Sequence, residues 1–392
     1  MSRSPSARRI VTCALALALA GCATQAPPPI AQEQAAVAPP APPPTLPVFK
    51  PPGTTPLPDP YPQMPLEQAR AMFVRDTAAK YGVDAAHIEA VLARAQMREP
   101  IIKAMSRPAE AKPWRDYRPL LVTDARINGG RAFLEKHREK LARVEAKYGV
   151  PAEVIVAIIG IETSFGANTG KYPVVDALYT LGFAYPRTGD PAKADREARR
   201  EAFFRNELGM LFALGKAEGF DVGTLTGSYA GAMGWGQFMP SSYLEFAVDG
   251  DGDGKRDLFN NLDDVFASIA NYFVQKGGWE RGGPVVAPAL VAADAKPFAP
   301  EGFEPAYTLA DLAALGYRPA TPMPPQQAAT VVYLDGATGR EPWITFRNFY
   351  AITRYNISKH YAMAVHTLAE AIAGRQMPPA AQVLAPAGLP GA

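Results

Sequence analysis

The sequence predicts a mainly α-helical α+β protein with a small β-rich insertion, and three patterns carry that expectation. From Leu66 onward apolar residues recur at three- and four-residue spacing, the period of an amphipathic helix. Val154 to Ile161 are apolar nearly all round, as expected of a central helix buried on every side. Between Gly282 and about Pro342, short β-favouring runs, PVVAPALV (284–291) and ATVVYL (329–334), alternate with Pro and Gly.

The N-terminal 22 residues, MSRSPSARRIVTCALALALAGC, join a basic stretch (Arg3, Arg8, Arg9) to a short apolar run from Ile10 to Ala20. That is the make-up of a secretory signal, too short to span a bilayer as a mature helix. Its end, Leu19-Ala20-Gly21-Cys22, resembles a bacterial lipobox, in which Cys22 becomes the acylated first residue, and Ala23 after it resembles sorting to the outer membrane. An ordinary signal with a chance cysteine is the alternative. Cys13 and Cys22 are the two cysteines of the chain, so a processed protein keeps no thiol for a disulfide. Removing the three signal arginines takes the formal charge from +2 to −1. With no long Lys/Arg block either, nucleic acid is not implied as a partner.

Residues 22–65 form an Ala/Pro-rich linker holding sixteen of the forty prolines. Such density excludes helix and sheet and favours an extended chain reaching on the order of 100 Å. Helices are expected over 66–82, 84–96 and 131–148, the last stopped by Gly149. Pro151 suits the first turn of the next, which runs to about Glu162. A charged-faced helix over 193–218 should turn Phe203, Phe204, Leu208, Leu211, Phe212 and Leu214 inward. Helical signals return near Trp343 and run to about Gly374, and the tail from 377 is again rich in Ala, Pro and Gly. The implied division is 1–21 signal, 22–65 lipidated Cys22 and linker, 66–282 helical core, 283–342 β-rich insertion, 343–376 helical return and 377–392 tail.

Three segments carry candidate chemistry. GSYAGAMGWGQFMPSSY (227–243) is dense in glycine, aromatics and hydroxyls, with one amide, Gln237, and no charge, which suits a groove for sugar rings. Glu162 ends the apolar helix. A carboxyl in apolar surroundings resists ionisation, so it can stay protonated near neutral pH as a general acid; a helix-end glutamate paired with an arginine is the alternative. Asp249, Asp251 and Asp253, followed by Gly254, have EF-hand-like oxygen spacing, but position twelve is Asn260 rather than Glu. A solvated Asp/Gly turn is the alternative there. The four histidines show no metal-ligand spacing, and Trp235, Trp279 and Trp343 are open between core and sugar platform.

IETSFG around Glu162, YPRTGD (185–190), the 227–243 segment, DGDGDGKRDLFNNLDD (249–264) and RNFYAITRYN (347–356) together resemble the lytic murein transglycosylases of the B type. The motifs come in that family's order through most of residues 66–376. The resemblance implies a lysozyme-like catalytic core and non-hydrolytic cleavage of the β-1,4 bond between N-acetylmuramic acid and N-acetylglucosamine. The product would be a 1,6-anhydromuramic acid end, with Glu162 serving as acid and then base and no catalytic cofactor. It also implies Ser228 and Gln237 beside the cleavage point, with Tyr117, Arg187, Tyr272, Tyr355, Asn356 and Tyr361 lining the cleft. Arg187 pairing with a surface acid and Ser228 as a turn hydroxyl are the alternatives, and Tyr272 and Tyr361 fit a core equally well. The family's longer metal loop would take Asp249, Asp251, Asp253, Asp263 and the Lys255 carbonyl as ligands of a structural Ca2+. Partners implied are peptidoglycan strands, the outer membrane through the lipid on Cys22, and cell-wall synthases or divisome proteins. A hydrolytic muramidase or glucosaminidase and a non-catalytic peptidoglycan-binding lipoprotein are the competing functions.

Overall fold

Among the described residues of the computed structural model, the first helix starts at Leu66, where the proline-rich composition ends. The structure describes Tyr61 and residues 64–106, 112–296 and 298–380, all within one compact unit, Phe49–Ala392. The expected signal, Cys22, nearly all of the linker and the tail beyond Ala380 lie outside the described residues.

Helix α1 (Leu66–Tyr81) is followed by α2 (Ala85–Leu92), whose Asp84 N-cap carboxylate accepts the Ala86 N–H. The helix expected over 84–96 ends early. The Gln96 N–H goes to Asp176 Oδ1 at 2.9 Å, and that of Arg98 to Thr180 Oγ1 at 3.0 Å, so side-chain acceptors draw the backbone out of the helix. Then come α3 (Glu99–Met105), α4 (Trp114–Leu121), α5 (Asp124–Lys136) and α6 (Arg138–Tyr148). The single helix expected over 131–148 is therefore two. The first starts at Asp124, where the Thr123 side chain caps the Arg126 N–H. The break falls at His137 (φ −114°, ψ 19°), whose ring stacks on Phe133 at 4.5 Å.

Helix α7 (Ala152–Thr163) is central, as its all-round apolar sequence requires: Val154 through Gly160 are buried without interruption. It packs against α5, α6, α11 (Leu262–Gln275) and α14 (Lys359–Ile372). Strand β1 (Tyr172–Pro173) leads into α8 (Val174–Phe183), which lies along the 28-residue α9 (Pro191–Glu218). Phe203 of α9 is 46% exposed, against the expectation that it faces inward. Phe204, Leu208 and Leu211 are spaced four and three apart on one stripe, and Phe203 stands 100° away from it. Strand β2 (Thr226–Gly227) pairs with β1, and α10 (Pro240–Phe246) precedes α11.

The β-rich segment contains β3 (Val286–Val291), β4 (Tyr307–Thr308), the short helix α12 (Leu309–Ala314), β5 (Tyr317–Pro319), β6 (Ala328–Gly336) and β7 (Gly339–Thr345). They form an antiparallel sheet in the order β4-β6-β7-β3-β5. Ala289, Leu312, Val331, Ile344 and Phe346 build a core of its own. Trp343 lies in β7 opposite Val332, not in a returning helix. The helix starts later, as α13 (Arg347–Tyr355), because Trp343 and Ile344 are held by the β6–β7 ladder. Helix α14 closes the fold against α7.

Candidate active site

Glu162 lies in the last turn of α7, which is helical through Thr163; the irregularity begins directly after it, at Ser164. The Ser164 N–H reaches back five residues to Ile159 O instead of four to Gly160 O. Ser164 (φ 49°) and Phe165 (φ 60°) then take left-handed backbone, a costly conformation for residues with side chains. The Phe165 ring folds back over α7 and α5, and glycines make room for it. A Cβ on Gly160 or on Gly129 would come within 2.8 Å of the ring. The Thr163 hydroxyl is 3.1 Å from both Ile159 O and Trp235 O, which ties the turn to the 227–243 loop.

Part of Glu162 opens to solvent, but its carboxyl is packed among side chains, and this burial raises its pKa to about 7. The opposing influence is the Tyr361 hydroxyl of α14, which donates to Glu162 Oε1. The phenols of Tyr361 and Tyr355 are pushed well above their ordinary range, first by burial and then by the Glu162 charge, so they stay neutral donors. Among the described residues no Asp or Glu carboxylate perturbs Glu162.

The aromatic candidates surround this acid from several elements. The Tyr355 hydroxyl donates to Gly236 O at 2.5 Å, and its ring lies 5.0 Å from that of Tyr272. Tyr272 is buried, with its hydroxyl on Arg354 O. Tyr117, also buried, packs its ring at a tilt 5.6 Å from that of His360, next to Tyr361 in sequence. Asn356 is half-buried at the end of α13, and its carbonyl accepts the Ser358 N–H. Ser358 caps α14 through the Tyr361 N–H, so this short turn sets where Tyr361 enters the site.

Gln237 holds φ 52°, and its Nε2 donates to Thr169 O and Gly234 O, both at 3.0 Å. Two carbonyl acceptors fix the amide orientation. Ser228 Oγ accepts the N–H groups of Ala230 and Ala232, so it does serve as a turn hydroxyl, with its own proton still to donate. The Arg187 guanidinium pairs with Glu201 at 2.5 Å, the alternative the sequence left open for it. Trp279 and Trp343 are buried core, while Trp235 is half-buried with its indole N–H on Phe259 O. Two contributors were not anticipated. His360 sits buried between Trp114 and Tyr117, and the buried Glu207 carboxylate accepts the Ser241 N–H and anchors the end of the 227–243 loop. No local pattern marks either, because their partners are distant in sequence.

In the acidic loop, carboxylate oxygens of Asp249, Asp251 and Asp253 lie within 4.8 Å of one another. Asp249 accepts N–H groups from Gly252, Asp253 and Gly254, and the Lys255 N–H goes to Asp253. Asp263 does not join them. Its carboxylate is turned to Lys140 and Arg143 on α6. The neighbouring Asp264, fully buried, accepts the N–H groups of Gly250 and Asp257 and senses the charges of Asp251 and Asp249. Asp264 thus braces the loop through its backbone, and like Asp263 it stands outside the cluster of three carboxylates. An all-oxygen set of clustered carboxylates fits a hard divalent cation.

Residues 66–370 match the transglycosylase SLT domain family. The chain is 38% identical over 311 residues to the membrane-bound lytic murein transglycosylase B of Escherichia coli K12, covering 77% of this chain and 81% of that protein. Its fold is similar to the lytic transglycosylase SltB1 of Pseudomonas aeruginosa (TM-score 0.70, 44% identity, 78% of this chain and 96% of that one). It is also similar to the Escherichia coli lytic transglycosylase Slt35 in complex with calcium (TM-score 0.67, 38% identity, 78% and 92%). The motif order, the buried acid at the end of α7 and these likenesses converge: the chain belongs to the transglycosylase SLT family.

Proposed function

We propose that this protein is a lytic transglycosylase of peptidoglycan, cleaving the β-1,4 bond between N-acetylmuramic acid and N-acetylglucosamine. One observation carries the mechanism: Glu162 stands with a pKa of about 7, a tyrosine donor at its side and, among the described residues, no second carboxylate acting on it. A hydrolase with paired carboxylates would need that second group. Protonated Glu162 gives its proton to the glycosidic oxygen, and the bond to the muramic C1 breaks. The substrate's N-acetyl group supports the cationic centre. The Glu162 carboxylate then takes the proton of the C6 hydroxyl, whose oxygen closes on C1 to form the 1,6-anhydro ring. A nucleophile already tethered to the reacting sugar has a high effective molarity, which favours ring closure over water.

Gln237, Ser228, Tyr355, Asn356, Tyr272 and Tyr117 are the proposed groove residues. Arg187 joins them only as a secondary contact, since its charge is already paired. The acidic loop is proposed to hold a structural Ca2+ through Asp249, Asp251 and Asp253, with the Lys255 carbonyl as a further ligand and Asp264 bracing the loop, and the calcium complex of Slt35 supports this reading. The proposed anchor is lipid on Cys22, and the 22–65 linker would let the 66–376 body reach the murein from the outer membrane. Among the described residues no helix is long and apolar enough to cross a membrane. Cell-wall synthases and divisome proteins are the proposed protein partners.

Digestion of murein sacculi by the wild type beside Glu162→Gln, with products weighed by mass spectrometry, tests the proposal. Anhydro-muropeptides from the wild type alone are expected. Products heavier by one water would make it a hydrolase, and an active Glu162→Gln would remove Glu162 from the mechanism.

A further inference from the structure

Arg126, near the start of α5, binds no carboxylate among the described residues. Its guanidinium instead serves three main-chain carbonyls: Nε donates to Gly160 O at 3.0 Å, and Nη1 to Leu120 O at 2.7 Å and Leu121 O at 3.3 Å. These acceptors are the C-terminal ends of two helices. α4 carries Tyr117, and α7 carries Glu162. A cation at the negative ends of two helix dipoles is favourable by itself.

The Gly160 carbonyl has a particular need for it. In a regular helix it would accept the Ser164 N–H, but the left-handed ending of α7 sends that N–H to Ile159 O. Gly160 is buried, so its carbonyl would be left without a partner, at a cost of about 1–3 kcal/mol. Without the guanidinium, the turn gains by returning to regular α-helix, with Ser164 back on Gly160. That change redirects the chain directly after Glu162, where the Thr163 hydroxyl ties the helix end to Trp235 O.

We infer that Arg126 is a positioning residue: by bonding the Gly160 carbonyl it holds the end of α7, from which Glu162 reaches Tyr361, in its left-handed ending and clamps it to the end of the Tyr117 helix. The inference rests on Glu162 being the acid of the proposed reaction. Arg126 touches neither Glu162 nor the sugar, and the groups that face Glu162 are the hydroxyls of Tyr361 and Tyr355. The clamp therefore acts on geometry and not on charge.

The test compares wild type, Arg126→Ala, Arg126→Lys and Glu162→Gln on soluble peptidoglycan fragments, with kcat and KM taken per folded molecule and guanidinium added to the alanine variant. Arg126→Ala is expected to lose about 10- to 100-fold in kcat with KM changed less than about threefold, the scale of a misplaced catalytic group. Added guanidinium should restore part of the rate, and Arg126→Lys, which reaches fewer carbonyls, should fall between. If Arg126→Ala does not fold, the kcat loss of Arg126→Lys decides. Variant rates within about twofold of wild type, or a loss confined to KM, would overturn the clamp. An active Glu162→Gln would instead overturn the reading on which it rests. Water-added products from all active variants, with Arg126→Ala still slow, would change the reaction and leave the clamp standing.

Discussion

The Tyr361 hydroxyl donates a hydrogen bond to Glu162 Oε1 across 199 positions of sequence. Burial drives the Glu162 pKa up to about 7, and this bond draws it down by favouring the charged form. Tyr361→Phe removes the donor, so the carboxyl titrates higher and the upper limb of the rate–pH profile moves to higher pH. The rate at the optimum should fall about 10- to 100-fold, the worth of a hydrogen bond to a charged group. A pH profile of product release checks both. An unmoved upper limb would show that Tyr361 has no hold on the proton.

The same carboxyl costs stability. Its native pKa of about 7 exceeds the ordinary 4.5, so between these values the native state binds more protons than the unfolded chain. Stability contributed by the protonated form is complete below pH 4.5 and lost as pH rises through 7. The loss is about 3 kcal/mol, at 1.36 kcal/mol per pKa unit. Glu162→Gln should thus match wild type at pH 4 and exceed it by up to about 3 kcal/mol at pH 8, in paired urea melts. Equal stability at both values would refute the linkage.

Gly160→Ala tests the space that Phe165 takes up. The added Cβ would stand 2.8 Å from Phe165 Cζ and 2.9 Å from Cε1, inside any real contact. Alanine favours helix over glycine by about 1 kcal/mol, yet overpacking typically costs about 1–3 kcal/mol. Net destabilisation is expected, together with lower activity per folded molecule, because the displaced ring belongs to the turn that follows Glu162. A more stable and fully active variant would contradict this.

Calcium should raise the melting temperature through preferential binding to the folded state. Asp263→Asn should keep that increment, since its carboxylate faces Lys140 and Arg143, whereas Asp264→Asn should lose most of it. Thermal melts with chelator and with excess calcium separate the two. The opposite ranking would restore Asp263 as the ligand.

Those neighbouring aspartates show where sequence reasoning stops. Family resemblance placed the loop's last acid at Asp263, but adjacent residues at the start of a helix point about 100° apart, and only packing decides which faces the loop. Phe203 and Phe204 differ for the same reason. Helix α7 was legible because its signals are local: an apolar run, a proline at its start and Glu162 at its end. The halves of the 124–148 region were not, since the break at His137 comes from a ring seated on Phe133 and Phe266. Trp343 lies in a strand because of a partner on β6, which period alone does not reveal. Glu162 could be chosen from sequence; the tyrosine that holds it came from family resemblance, and their bond only from the fold.

Helix α7 meets α5 and α6, made just before it, and also α14, the last helix made. A chain growing from its N-terminus can assemble the first contacts early, but the acid waits some two hundred residues for its tyrosine. Contacts of such separation are slow to close and complete a fold late. A nascent or C-terminally clipped copy therefore carries the acid without the helix that holds it. In an enzyme proposed to open the wall that protects its own cell, the power to cut would come only with the finished chain, and incomplete copies would be silent rather than harmful.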